Sequence, residues 1–173
     1  PLAFGLVPDQ WVGKVADYIA GRGMACSVYG AQFLIDGLYR SGLASNALSL
    51  LTSRSDRSWG HMVFDVGTTI ALEAWDTRYK PNQDWNHAWG AAPANLIPRW
   101  LVGVWPTSPG AETLQIAPQP ADLSFFKANV PTIRGAVMVE FKQSDTSAEL
   151  RVKLPGNMTA DVILPTPPGT ETH

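Results

Sequence analysis

One cysteine, Cys26, stands alone in a chain of 173 residues. Without a second thiol there is no internal disulfide and no thiolate cage for a metal, so metal chemistry through sulfur is excluded. Charge of one sign is lacking too: thirteen Lys and Arg face fifteen Asp and Glu, for a net charge of −2, and no basic block occurs. That removes the electrostatic footprint on which nucleic-acid binding depends, and disfavours anionic membranes. No apolar run approaches the ~20 residues that cross a bilayer. The opening PLAFGLVPDQ also lacks the charged start and long apolar stretch of a secretion signal. The expectation is a soluble chain, already processed or cut from something larger, with its compartment open. There is no GxxxxGK, GxGxxG, HExxH or GxSxG, so phosphate cradles, zinc-peptidase helices and serine-hydrolase elbows have no support. No cofactor and no metal is expected.

What the chain does have is 45% hydrophobic residues against 16% charged ones, the balance of a sequence that buries a core. It is rich in proline (14) and tryptophan (7), and Trp59, Trp75, Trp85, Trp89, Trp100 and Trp105 fall in one stretch. The first part carries helical punctuation. Asp9 offers a cap for QWVGKVADYIAGRG, where Trp11, Val15, Tyr18 and Ile19 recur at helical spacing and Gly21 or Gly23 ends the run. A second helix is expected over 27–40, with Val28, Ala31, Leu34, Ile35 and Leu38 on one side and Gly42 as its stop. A third begins near Leu43. Short joints make these antiparallel neighbours. Residues 53–87 mix polar, aromatic and glycine residues without a sustained period and read as a long functional loop, with a short strand or turn at 69–74. A further helix fits 88–102, where Pro93 suits a first turn and Pro98 demands a kink or break.

After Gly103 the period changes to two. Val137, Val139 and Phe141 alternate with polar neighbours, as do Leu150, Val152 and Leu154, and then Ala160, Val162 and Leu164. With Leu114, Ile116 and the Val130 region, five or six strands make an antiparallel sandwich. The reading is therefore α+β in two parts: helical residues 1–104, a β-sandwich over 105–165, and a proline-rich flexible tail over 166–173.

Candidate chemistry lies between Arg54 and Trp105. Five carboxylates (Asp56, Asp65, Glu73, Asp76, Asp84) interleave there with the indoles and with His61 and His87. Indole faces stack on the C–H face of a sugar ring and carboxylates bind hydroxyls or move protons, so the combination suits carbohydrate chemistry. The plainer alternative is that the indoles fill a core. Glu73, in TTIALEAW, is a lone carboxylate among apolar side chains, a setting that raises a carboxyl pKa. A surface Glu on an amphipathic turn is the rival reading. His87 reads either as a hydrogen-bonding partner for a substrate or as a structural histidine, and Asn86 as a cap for the next helix. Asp76 with Arg78, and Asp56 between Arg54 and Arg57, read as local ion pairs; Cys26 reads as a buried structural thiol.

In order, SDRSWGHM, GTTIALEAWD, DWNHAWGAAPANLIPRWLVGVWPTSPG, LQIAPQPADL and VPTIRGAVMVEF resemble the C-terminal part of the bacterial α-L-rhamnosidases of glycoside hydrolase family 78. The resemblance runs from about Met24 to Phe141. It implies helical hairpins from an incomplete (α/α)6 toroid followed by the C-terminal sandwich. It also implies a glycoside hydrolase that releases terminal L-rhamnose from a glycoside or polysaccharide with inversion, through two carboxylates. Under the resemblance Glu73 is the general base, His87 contacts the sugar, and Trp59 and Trp75 line or support the pocket, with Asn86 beside them.

The family's general acid belongs to an earlier motif that is absent from this sequence. A toroid of about twelve helices at ~11–12 residues each exceeds this length. The chain is therefore expected to hold roughly the last third of the toroid, with the base but not the acid. The alternatives are a non-catalytic carbohydrate-binding or structural remnant and, further off, a polysaccharide lyase, which would need a Tyr or His base and a cation. Helices left without neighbours are expected to keep an apolar flank, and hence to self-associate or to associate with the missing helical part.

Overall fold

The computed structural model describes residues 1–165, so the tail expected over 166–173 lies outside the described residues. The arrangement is α+β, and the chain divides into two compact units between Leu96 and Ile97.

The helical unit is organised on its second helix. Helix α1 (Asp9–Arg22) buries only Ala16, whereas α2 (Val28–Arg40) buries Val28, Ala31, Ile35, Leu38 and Tyr39, a stripe at helical spacing. Ser27 caps α2, its hydroxyl accepting from the Gly30 amide at 3.3 Å. Asp9 falls inside α1 rather than before it: Pro8 holds the cap position and no side chain caps the helix. Helix α3 (Ala44–Thr52) buries Ala47 and Leu48. Helix α4 (Trp59–Phe64) lies within residues 53–87, where the absence of a sustained period predicts a loop. Its start is fixed by Ser58, which is fully buried, accepts from the His61 amide at 2.9 Å and donates to the Ser55 carbonyl at 2.7 Å. Six residues are too few to display a period, which is why the capping serine and not the apolar pattern marks this helix. Residues 69–74 form neither strand nor helix. Ile35, Leu38, Met62, Leu72 and Leu96 complete the core of this unit.

The single helix expected over 88–102 is three pieces. A 3-10 turn (Ala88–Ala91) is followed by α5 (Pro93–Leu96) and, in the second unit, by a π-helical turn (Ile97–Leu101). Pro93 takes the first position of α5, where its missing N–H is harmless, while Pro98 supplies no amide to continue an α ladder.

The second unit contains two three-stranded sheets. Strands β3 (Phe125–Thr132), β4 (Gly135–Gln143) and β5 (Ala148–Lys153) form an antiparallel meander in which Val130 faces Val137 and Phe126 faces Phe141. Val137, Val139 and Phe141 are fully buried, as the alternation predicts. In the other sheet β2 (Thr113–Ile116) is central, with β1 (Val104–Pro106) antiparallel on one side and β6 (Thr159–Val162) on the other. The β2–β6 pairing is parallel, opposing Leu114 to Ala160, so the meander expected throughout holds for one sheet only. Leu114 and Ile116 are fully buried, but Val162 and Leu164, expected to face inward, are 48% and 63% exposed. Strand β6 is a short edge strand, paired on one side with β2 among the described residues.

Candidate functional site

Between α4 and Ala88 the chain has no regular element, yet it is closely held. Residues 71–74 run alongside 83–87: the His87 amide donates to the Ala71 carbonyl at 3.0 Å, the Glu73 amide to the Asp84 carbonyl at 3.1 Å, and the Ala74 amide to Gln83 Oε1 at 2.9 Å. Tight turns close the far end, from the Tyr79 amide to the Asp76 carbonyl and from the Gln83 amide to the Lys80 carbonyl, both at 3.1 Å. Gly90 lets the next turn press against this loop, since a Cβ there would lie 2.5 Å from the Leu72 carbonyl oxygen. The Gly90 carbonyl in turn accepts from Trp59 Nε1 at 2.6 Å.

The loop is tied to α4 by charge. His61 is buried, with Nδ1 3.1 Å from Asp65 Oδ2 and Nε2 2.7 Å from Asp76 Oδ2. The hydrogen bond to Asp76 is the main reason its pKa is raised, so the ring favours the imidazolium. Asp76 also accepts from the Arg78 amide at 2.9 Å and the Arg78 guanidinium at 3.0 Å, and these contacts with His61 hold its carboxyl well below the usual range. Arg78 reaches Asp56 as well, at 3.0 Å. The pairing of Asp76 with Arg78 is therefore present as part of a larger cluster, and the partner of Asp56 is Arg78 rather than Arg54 or Arg57.

Glu73 sits on the near limb of this loop. Its Oε1 accepts from Lys80 Nζ and from the Tyr29 hydroxyl (3.3 Å), and its Oε2 from the Asp84 amide at 3.0 Å. The raised pKa read from its apolar neighbours is corrected here. The hydrogen bond from Lys80, followed by that from the Asp84 amide, lowers it, and both outweigh desolvation. The cause lies seven and eleven residues along the chain, on the returning limb of the loop. The carboxylate is thus ionised at neutral pH, which is the form a general base needs.

Glu73 opens on a cavity of about 550 Å3 that is lined also by Tyr29, Arg57, Trp75, Tyr79 and Lys80. Trp75 is 3% exposed and donates through Nε1 to the Cys26 carbonyl at 2.8 Å. Trp59 meets Trp75 edge to face, with centroids 5.2 Å apart. These two indoles brace the cavity wall. His87 packs edge-on to Tyr29 at 5.0 Å, with Nδ1 3.8 Å from Asp84 Oδ2, and its Nε2 is buried without a hydrogen-bond partner among the described residues. Trp89 stands against both Tyr29 and His87 and is 72% exposed. Asn86 is exposed and does not cap: His87 holds the cap position of the following turn, and no side chain bonds there. Trp100 and Trp105 pair with each other in the second unit. Cys26 is half-buried on the cavity wall, and burial pushes its thiol pKa up.

Ligand atoms of Glu73, Asp84 and His87 lie within 4.8 Å of one another. The Lys80 ammonium already holds Glu73 Oε1, and a second positive charge there would meet direct repulsion. The sequence reading missed Tyr29, Lys80 and Arg57. Tyr29 falls in the helix expected over 27–40 and Lys80 in the loop expected over 53–87, and neither setting predicts a bond to Glu73. Lys80 stands seven residues beyond Glu73, past the turn at 76–79, and that spacing matches neither a helical nor a strand period.

Two family descriptions match the chain: the bacterial α-L-rhamnosidase six-hairpin glycosidase domain over residues 1–101, and the bacterial α-L-rhamnosidase C-terminal domain over residues 103–173. A curated α-L-rhamnosidase of Streptomyces avermitilis is 26% identical over 184 aligned residues, covering 95% of this chain and 17% of that protein. The structure of an α-L-rhamnosidase from Aspergillus terreus superposes with a TM-score of 0.80 at 22% identity, over 95% of this chain and 21% of the other. That of the Streptomyces avermitilis enzyme complexed with L-rhamnose gives 0.74 at 24% identity, over 93% and 17%. The chain thus spans about a fifth of the length of these relatives, and at such identities the structures establish the shared fold.

Proposed function

Because the chain belongs to the bacterial α-L-rhamnosidase six-hairpin glycosidase family, we propose that it carries the general-base half of an inverting α-L-rhamnosidase site, with Glu73 as the base. The observation that carries this reading is an ionised carboxylate, held from three directions, at the wall of an aromatic-lined cavity. In an inverting hydrolysis the two carboxyl groups stand ~6.5–9.5 Å apart, so that a water fits between the base and the anomeric carbon. Glu73 removes a proton from that water as its oxygen bonds to the anomeric carbon of a terminal L-rhamnose. The bond to the leaving oxygen breaks, and that oxygen takes its proton from the general acid. His87, whose Nε2 has no hydrogen-bond partner among the described residues, is the proposed partner of a sugar hydroxyl. Trp59, Trp75 and Asn86 shape the surroundings. The ligand class is a rhamnose-containing glycoside or polysaccharide.

The acid is proposed to lie on sequence outside this chain, and its loss lowers the rate by roughly 10²–10⁴. Hydrolysis of an aryl α-L-rhamnoside by this chain alone should be little or none. Robust turnover that Glu73→Gln abolishes would show that an acid is present here after all. A second reading, a non-catalytic binding or structural module, draws on one observation: the indole N–H groups of both Trp59 and Trp75 are bonded to backbone carbonyls, as in packed cores.

Apolar side chains stand exposed on the helical unit, among them Phe4 (62%), Leu6 (74%), Trp11 and Tyr18 (66%). In the proposed reading these are covered by the remaining hairpins or by a second copy. Sedimentation should show self-association. A compact monomer that binds no hydrophobic dye would contradict it. Among the described residues no helix is long and apolar enough to cross a membrane.

A further inference from the structure

Resting on the assignment of Glu73 as the base, we infer that Lys80 and Tyr29 are positioning residues that occupy Oε1 of Glu73 and leave Oε2 as the oxygen that faces the reacting water. A carboxylate offers about two lone-pair sites on each oxygen. At Oε1 both are taken, one by Lys80 Nζ and one by the Tyr29 hydroxyl. At Oε2 the Asp84 amide takes one, at 3.0 Å, and among the described residues no second donor reaches it. One site on Oε2 is therefore left for a water proton.

The arrangement also removes an ambiguity that a glutamate has by itself. The terminal carboxylate torsion is broad and two-fold, so an unrestrained group interchanges its oxygens freely. Here the donors come from three separate places: Tyr29 from the first turn of α2, Lys80 from the turn that closes the loop, and Asp84 from the returning limb. A hydroxyl, an ammonium and an amide at fixed positions on different segments define one orientation of the carboxylate plane. Asp84 is bonded to the same residue a second time, its carbonyl accepting from the Glu73 amide at 3.1 Å, and this holds the returning limb beside the carboxylate. The other charged or titratable groups around Glu73 are the Asp84 carboxylate and His87, with Arg57, Tyr79 and Cys26 on the same cavity. Among the described residues none of these groups bonds to Oε1, whose donors are Lys80 and Tyr29.

The test uses the full chain labelled with 13C in its five glutamates, with the Glu73 Cδ resonance assigned from Glu73→Gln. Its titration is followed beside that of the Asp84 amide proton. In the unaltered chain both should report the same midpoint, because protonating Glu73 weakens the amide bond to Oε2. Lys80→Met should move the Cδ midpoint upward, Lys80→Arg should restore it, and Tyr29→Phe, which removes a single hydroxyl, should move it upward by less. In all of these the Asp84 amide should keep following Glu73. A midpoint indifferent to both Lys80→Met and Tyr29→Phe, a failure of Lys80→Arg to restore it, or an Asp84 amide blind to the titration would overturn the inference. If Lys80→Met does not fold, Tyr29→Phe still decides the direction. No step of this test needs glycosidase activity or rhamnose binding. A chain that shows these titrations yet binds no sugar loses the functional reading and keeps the clamp.

Discussion

In strand β4, burial follows the alternation of the sequence: Val137, Val139 and Phe141 are sealed while their neighbours are more exposed. In the loop that carries Glu73, burial follows charge. His61 is enclosed because Asp65 and Asp76 flank it, and Glu73 because Lys80, Tyr29 and the Asp84 amide converge on it. One region is specified by a local period that any short window displays. The other is specified by partners up to 44 residues apart, as Tyr29 and Glu73 are. The difference sets an apolar pattern in one region against a network of paired charges in the other, and the proposed base belongs to the second.

Removing an apolar anchor is the harshest way to break that contrast. Phe141→Ala, at a fully buried position, should lower stability by about 3–5 kcal/mol in denaturant unfolding, while leaving the Glu73 titration where it was. A changed titration would mean that the two regions do not divide the labour as described. Next, Gly90→Ala forces a methyl toward the Leu72 carbonyl and should cost about 1–3 kcal/mol. It should also disturb the loop, seen as a change in the His87 and Asp84 resonances.

A milder probe is pH. The folded pKa of His61 is raised above the ordinary value of about 6.5. Its contribution to stability is therefore complete below that value and is lost as pH climbs through the folded one. The thermal midpoint should fall with rising pH in that window, and His61→Asn should flatten the dependence. A slope that survives His61→Asn would assign the effect to another group. The smallest effect belongs to the sheet surface. Arg151, 2.7 Å from Glu149 with both side chains more than half exposed, should change stability by less than about 0.5 kcal/mol when replaced by Ala.

The same contrast explains what the sequence disclosed. Helices α1 to α3 and strands β2 to β5 were legible because each is long enough, or alternates strongly enough, to show its period. Helix α4, six residues opened by a buried serine, was not, and neither was the parallel seat of β6, because no local pattern records which strand it joins. At the site, Glu73, His87, Trp59 and Trp75 were singled out by motif, and the structure gathers them on one loop and its neighbours. The direction of the Glu73 pKa was misjudged from the apolar residues beside it. Lys80 and the Asp84 amide reach it from the far limb, and an adjacency in space of that kind leaves no periodic trace.

Calorimetric titration of L-rhamnose into the full chain tests most directly whether this loop faces a deoxy-sugar. Heat of binding that disappears in His87→Ala and changes its pH dependence in Glu73→Gln is the predicted result. No heat at all, or heat that both variants leave untouched, would contradict the account.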